Sequence, residues 1–246
     1  FELVTMQIPS RAEPGPPGLV ITAVLTSQPD PQRSTPQHID PARYISPWWN
    51  SINRGGLRGM LLHDGLPDAF IAGASTASIG FVRINMGGWP LLHERHRIVR
   101  NYLQTIGDEW ILVTDAADVA FRRNPFALMA ADDSHRLFIG SEGMLLRDNP
   151  YMAQDMQMQY GEMRHGDRMV MNPGIIGGRR AEVCELLNHV IAEITGNEAR
   201  LRPSDMCIFN QVIHTRYQAR EIATGHPLHS RFKAWEFKTD AAIIHK

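Results

Sequence analysis

The stretch Ile111 to Phe126, "ILVTDAADVAFRRNPF", sets an aliphatic run directly against two aspartates three residues apart, Asp115 and Asp118. An uninterrupted run such as "WILV" describes a strand buried on both faces, as in a parallel sheet. In an open α/β sheet, ligands bind in the crevice beyond the carboxyl ends of the strands, which is where both aspartates fall. Two carboxylates across a short turn can converge on a hard divalent cation and leave coordination places for phosphate oxygens. The competing reading is local: Thr114 or Asp115 caps a short helix "AADVAF", and Asp118 is solvated.

Outward from this stretch the chain alternates strand and helix signals. "LVITAVL" (Leu19 to Leu25) reads as the first strand, "GMLLHDGL" as the second, "GFVRIN" (Gly80 to Asn85) as the third and "RLFIGSEG" as a later one. "MVMNPGIIGG" reads as two short strands around a Pro-Gly turn. Helices are expected in "YISPWWNSIN", entered at Pro47, in "PLLHERHRIVRNYLQTIG", stopped by Gly107, and in "RAEVCELLNHVIAEITG", closed by Gly196. This order predicts an α/β protein whose mainly parallel sheet is flanked by helices on both faces. The proline- and glycine-rich opening makes residues 1–18 an irregular lead-in and leaves 19–246 as one domain. "SQPDPQRSTPQHIDP" forms a long loop beyond the first strand, a position where long loops are often functional.

Bulk properties exclude several classes. At 246 residues, 43% hydrophobic and 21% charged, the chain is an ordinary globular sequence. Its 25 basic and 26 acidic residues supply no positive field, so nucleic acid is not an expected partner. Cys184 and Cys207 form neither a disulfide framework nor a CxxC pair and are expected to be buried thiols. No apolar run is long enough for a membrane span. The absence of Asn-x-Ser/Thr sequons favours a cytoplasmic setting. The chain begins at Phe1, which leaves open a removed leader or anchor, and with it a Golgi-lumen or membrane-associated location. "HERHR" (His93 to Arg97) is not the zinc signature HExxH, because Arg97 occupies the second histidine's place. Walker A, GxGxxG and GxSxG patterns are absent.

Three segments, in this order, resemble the nucleotide-sugar glycosyltransferases of the GT-A fold: "TDAADVAF", "MNPGIIGG" (Met171 to Gly178) and "PSDMCIFNQVI" (Pro203 to Ile213). The acidic pair resembles the DxxD variant of the family's metal motif and departs from the commoner DxD form, since Ala117 stands at the second aspartate's place. The resemblance implies a Mn²⁺ site, with Mg²⁺ as the other option, formed by Asp115, Asp118 and a late histidine, His245. An imidazole among the ligands favours manganese. It also implies donor contacts from Leu25, Thr26 and Ser27 to the nucleobase and ribose, from Arg97, Arg100 and Lys246 to the diphosphate, and from Asn172, Gly174, Gly177, Gly178 and Asn210 around the sugar. Asp205, with Glu142 second, is the candidate catalytic carboxylate. From these residues alone, Asp205 also reads as a helix N-cap after Pro203, and His245 as an exposed tail.

The expected activity is metal-dependent transfer from a nucleotide-diphosphate sugar, a UDP-sugar by resemblance, to a hydroxyl on a glycan, protein or small-molecule acceptor. The resemblance of the metal trio to glycogenin leans towards retention. A non-catalytic nucleotide-sugar or glycan-binding module of the same fold is the alternative. A sugar-nucleotide nucleotidyltransferase ranks below both, because "TSQPDPQRSTP" lacks that class's glycine- and arginine-rich loop. Trp48 and Trp49 line the acceptor site or pack in the core.

Overall fold

The computed structural model describes residues 15–28, 40–234, 236 and 239–246. Most of the lead-in (1–14) and most of the proline-rich loop (29–39) therefore lie outside the described residues. The strands are β1 (Gly18–Val24), β2 (Arg58–His63), β3 (Ile79–Arg83), β4 (Trp110–Thr114), β5 (Val119–Phe121), β6 (Leu137–Leu145), β7 (Met169–Arg179), β8 (Ile222–Ala223) and β9 (Ile243–His245). The helices are α1 (Pro41–Gly55), α2 (Asp68–Ala74), α3 (Leu91–Leu103), α4 (Pro125–Ala130), α5 (Pro150–Tyr160), α6 (Arg180–Gly196) and α7 (Met206–Arg216).

Seven strands form one sheet in the order β3-β2-β1-β4-β7-β6-β8. β7 runs antiparallel to both of its neighbours, and the other pairings are parallel. The two-residue period of the strands divides the apolar side chains between the faces. Leu19, Ile21 and Ile111 pack with α3, α6 and α7, whereas Val20, Val24 and Leu112 pack with α1 and α4. Burial on both sides is why these strands read as continuous apolar runs.

Helix α1 begins six residues before the expected entry at Pro47. The Asp40 side chain accepts hydrogen bonds from the backbone N–H groups of Ala42 and Arg43, Pro41 occupies the first turn, and Pro47 lies inside the helix. The cap contributes about 1 kcal/mol. Burial of Ile45 and Ile52 contributes about 1.5–3 kcal/mol each, enough to offset the hydrogen bond that Pro47 cannot donate. Trp48 is fully buried, and its neighbour Trp49 donates Nε1–H to the carbonyl of Ala74. Helix α3 ends at Leu103 rather than at Gly107, because short-range bonds from Gln104 and Thr105 close it first.

"MVMNPGIIGG" forms a single strand, β7, not two. Its second half, Ile175 to Arg179, pairs without a break with β4, and its pairing with β6 is irregular between Ile139 and Gly140 and again between Ser141 and Leu145. The local helix reading of "AADVAF" also fails. Val119 and Phe121 are buried in alternation, and their strand pairs antiparallel with Ile243–His245. Cys207 is buried as expected, while Cys184 is only partly so. Among the described residues, no helix is long and apolar enough to cross a membrane.

Candidate metal centre

The parallel strands β1, β2 and β4 end on one edge of the sheet, and Thr26, Asp64 and Asp115 follow them there. The β5–β9 ribbon completes the centre by setting His245 opposite Val119, next to Asp118. One oxygen each from Asp115 and Asp118 and one ring nitrogen of His245 lie within 4.8 Å of one another. The alternative reading of His245 as an exposed tail thus fails. His245 is 3% exposed, and Ser230 Oγ binds both its backbone N–H, at 2.8 Å, and its carbonyl, at 3.2 Å. The Phe232 ring packs on its imidazole at 4.5 Å between centroids.

The donor set fits a divalent ion. Neither ring nitrogen of His245 has a hydrogen-bond partner among the described residues, although both are buried. Burial, outweighing the nearby Asp115 charge, lowers its pKa to about 4, so the imidazole is neutral and able to ligate near pH 7. Gly174 leaves the necessary space. A Cβ at that position would stand 2.6 Å from Asp115 Oδ2 and 2.7 Å from His245 Cε1.

Beside the cluster, Arg95 joins two carboxylates. Its Nη1 donates to Asp115 Oδ1 at 2.8 Å, its Nε donates to Asp205 Oδ2 at 3.1 Å, and its Nη2 lies 2.9 Å from the same oxygen in an ion pair. His96 Nε2 meets the same Oδ2 at 2.6 Å. Burial alone would raise the Asp205 carboxyl, but the Arg95 charge and the His96 hydrogen bond hold it far below the usual carboxylate range. A cavity of about 20 Å³ lined by Arg95, His96, Thr114, Asp115 and Pro173 lies here, with room for one water or one ligand hydroxyl. A larger groove of about 550 Å³, between Leu128–Ser134 and Ala223–Leu228, includes none of these ligands.

The remaining expected residues divide into two groups. Asn172 stands close to the centre: its Oδ1 accepts from Gly174 N–H at 2.8 Å, and its Nδ2 donates to Glu142 Oε1 at 3.3 Å. Burial raises the Glu142 pKa, against opposing effects of Lys233, Asn172 and Asn149. Asp64 holds Thr26 and Ser27, accepting from their backbone N–H groups at 2.7 and 2.9 Å and from both hydroxyls. Lys246 N–H donates to the carbonyl of Asp118 at 3.0 Å.

Other side chains are committed elsewhere. Leu25 is core. Arg97 is paired with Glu94, and Arg100 donates to Asn188. Asn210 clamps α7 to β7 through the Met171 backbone. Gly177 and Gly178 lie within the sheet opposite Phe138 and Leu137, and a Cβ on Gly177 would press on Leu112 and Met129 at 3.0 Å. Close packing between strands accounts for both. Arg95, His96 and Asp64 were not singled out from the sequence as site residues. The signal for the first two lay in "HERHR", whose helical phase turns Arg95 and His96 towards the sheet edge and Arg97 away.

The fold is shared with solved proteins. The chain is similar to the galactosyltransferase LgtC, solved in complex with donor and acceptor sugar analogues, with a TM-score of 0.54 and 14% identity over 92% of this chain and 86% of that one. The chain has a GT-A fold. A second structure with this fold is the glycosyltransferase GlyE of Streptococcus pneumoniae TIGR4, with a TM-score of 0.51 and 10% identity over 86% of this chain. The chain spans about half of GlyE, covering 46% of its length. No protein-family model and no curated protein sequence matches this GT-A chain.

Proposed function

We propose that this protein is a metal-dependent glycosyltransferase that uses a nucleotide-diphosphate sugar, a UDP-sugar by family resemblance, and a hydroxyl acceptor. The observation that carries the reading is the convergence of Asp115, Asp118 and His245 at the carboxyl edge of the sheet, around space that only glycine at position 174 leaves open. These residues would hold Mn²⁺, or Mg²⁺ with less affinity for the imidazole. A bound divalent ion there neutralises charge building on the departing diphosphate.

The chain's own groups divide the remaining work. Thr26 and Ser27, oriented by Asp64, meet the nucleoside, and Lys246 meets the diphosphate. Both hydroxyls donate to Asp64, so they present lone pairs and favour ligand groups that donate, such as ribose hydroxyls or a base N–H. Arg95 and Asp205 face the donor sugar. Transfer breaks the bond from the sugar's anomeric carbon to the diphosphate oxygen, which leaves with the electron pair, and the acceptor oxygen bonds to that carbon and loses its proton. A carboxylate held as far down as Asp205 is a weak base, so its role is to bind. Glu142, whose pKa is raised, is the better proton acceptor if inversion requires one. The glycogenin-like trio favours retention.

Hydrolysis and transfer across a panel of nucleotide sugars, with Mn²⁺ and then with chelator, test the reading. Turnover is expected with one nucleotide class, abolished by chelator and reduced at least about 100-fold by Asp115→Ala or Asp118→Ala. Metal-independent turnover would overturn the metal assignment. Binding of a nucleotide sugar without turnover would make the protein a non-catalytic module.

A further inference from the structure

Asp205 occupies the N-cap position of α7, yet its side chain makes no capping hydrogen bond. An aspartate there ordinarily accepts from the second or third N–H of the helix and stabilises it by about 1 kcal/mol. Here the carboxylate is instead turned towards α3. All of its hydrogen bonds from the described residues fall on Oδ2, one from Arg95 Nε and one from His96, and Arg95 Nη2 forms an ion pair with the same oxygen. Oδ1 accepts none from the described residues. His96 is 2% exposed, and its ring lies parallel to Phe209, with centroids 6.2 Å apart and planes 10° apart. Phe209 is on the same helix as Asp205, one turn later, and its N–H donates to the Asp205 carbonyl. The ring that meets the carboxylate is therefore held by the helix that carries it.

Arg95 by itself would neutralise Asp205, but its guanidinium also reaches Asp115. It is shared with the metal centre. A buried ring fixed by Phe209 has no such second partner. We propose that His96 is a positioning residue for donor-sugar recognition: its Nε2–H locks Oδ2 of Asp205 and leaves Oδ1 as the acceptor for a sugar hydroxyl. This rests on the reading of the protein as a nucleotide-sugar transferase. It gives "HERHR" a role unrelated to zinc. His93, His96 and Asp205 do not bring three ligand atoms together as the metal centre does.

The test compares a nucleoside diphosphate with the corresponding nucleotide sugar, both with Mn²⁺, on the wild-type protein, His96→Leu and His96→Gln. Leucine keeps the volume and removes the donor, whereas the glutamine amide can place an N–H near the position of Nε2. The expected result for His96→Leu is a loss of about tenfold or more in affinity for the nucleotide sugar with less than about twofold for the nucleoside diphosphate. His96→Gln should recover most of that loss. Equal losses for both ligands, no loss for either, or no difference between the two variants would overturn the proposal. If His96→Leu fails to fold by circular dichroism, His96→Gln and His96→Asn carry the comparison, because asparagine is too short to reach Oδ2 and should lose sugar affinity selectively. Failure of the wild-type protein to bind any nucleoside diphosphate would instead sink the functional reading itself.

Discussion

At the scale of single residues, the acidic pair was legible because its signal is local: an aliphatic run, then two carboxylates within one turn. Gly174 was legible only as part of a glycine segment, and its reason is steric. A Cβ there would fall 2.6 Å from Asp115 Oδ2 and 2.9 Å from Asn172 Oδ1. We therefore expect Gly174→Ala to weaken Mn²⁺ binding at least about tenfold, equivalent to about 1.4 kcal/mol, by pushing Asp115 and His245 apart. Titration followed by the electron paramagnetic resonance of free Mn²⁺ measures this, and wild-type affinity in the variant would show that the ion sits elsewhere. Arg95 was not legible as the link between Asp115 and Asp205. Its neighbours Arg97 and Arg100 are equally basic, and only the orientation of α3 distinguishes them.

Among elements, β1, β2, β4 and α6 matched their sequence signals because burial on two faces, or on one helical face, repeats at the expected period. The mistaken boundaries had a common cause. Proline at 47 and glycine at 107 were read as punctuation, while Asp40 and the bonds closing the last turn of α3 set the true ends. The β6–β7 pairing held a feature with no local trace. At the first of its two irregularities a Cβ on Gly140 would lie 2.7 Å from the backbone carbonyl of Asn172. Gly140→Ala is expected to cost about 1–3 kcal/mol, seen as a lower urea midpoint, and to displace Asn172 and Glu142, seen as weaker nucleotide-sugar binding. A variant with unchanged stability would mean that the two strands can separate there without strain.

For the molecule as a whole, burying histidines without charge makes stability depend on pH. Burial lowers the pKa values of His93 and His214 from 6.5 to about 4, and both ring nitrogens of His93 lack partners among the described residues. Below pH 6.5 the unfolded chain takes up protons that the folded protein refuses until about pH 4. Stability is therefore greatest above pH 6.5 and falls through that window as pH decreases. Urea midpoints at pH 7 and pH 4.5 should differ accordingly, and His93→Leu should narrow the difference; a difference equal to the wild type's would remove His93 from the account. The sequence by itself determined the α/β class, the alternation that builds the sheet and the position of an acidic pair at a strand end, since each depends on residues close together in the chain. Tertiary structure alone decided that His245 joins Asp115 and Asp118, that Arg95 and His96 reach Asp205, and that "VAF" is a strand rather than a helix. Those outcomes depend on the β5–β9 pairing and the packing of α3 against α7, contacts between distant segments that no local window of sequence contains.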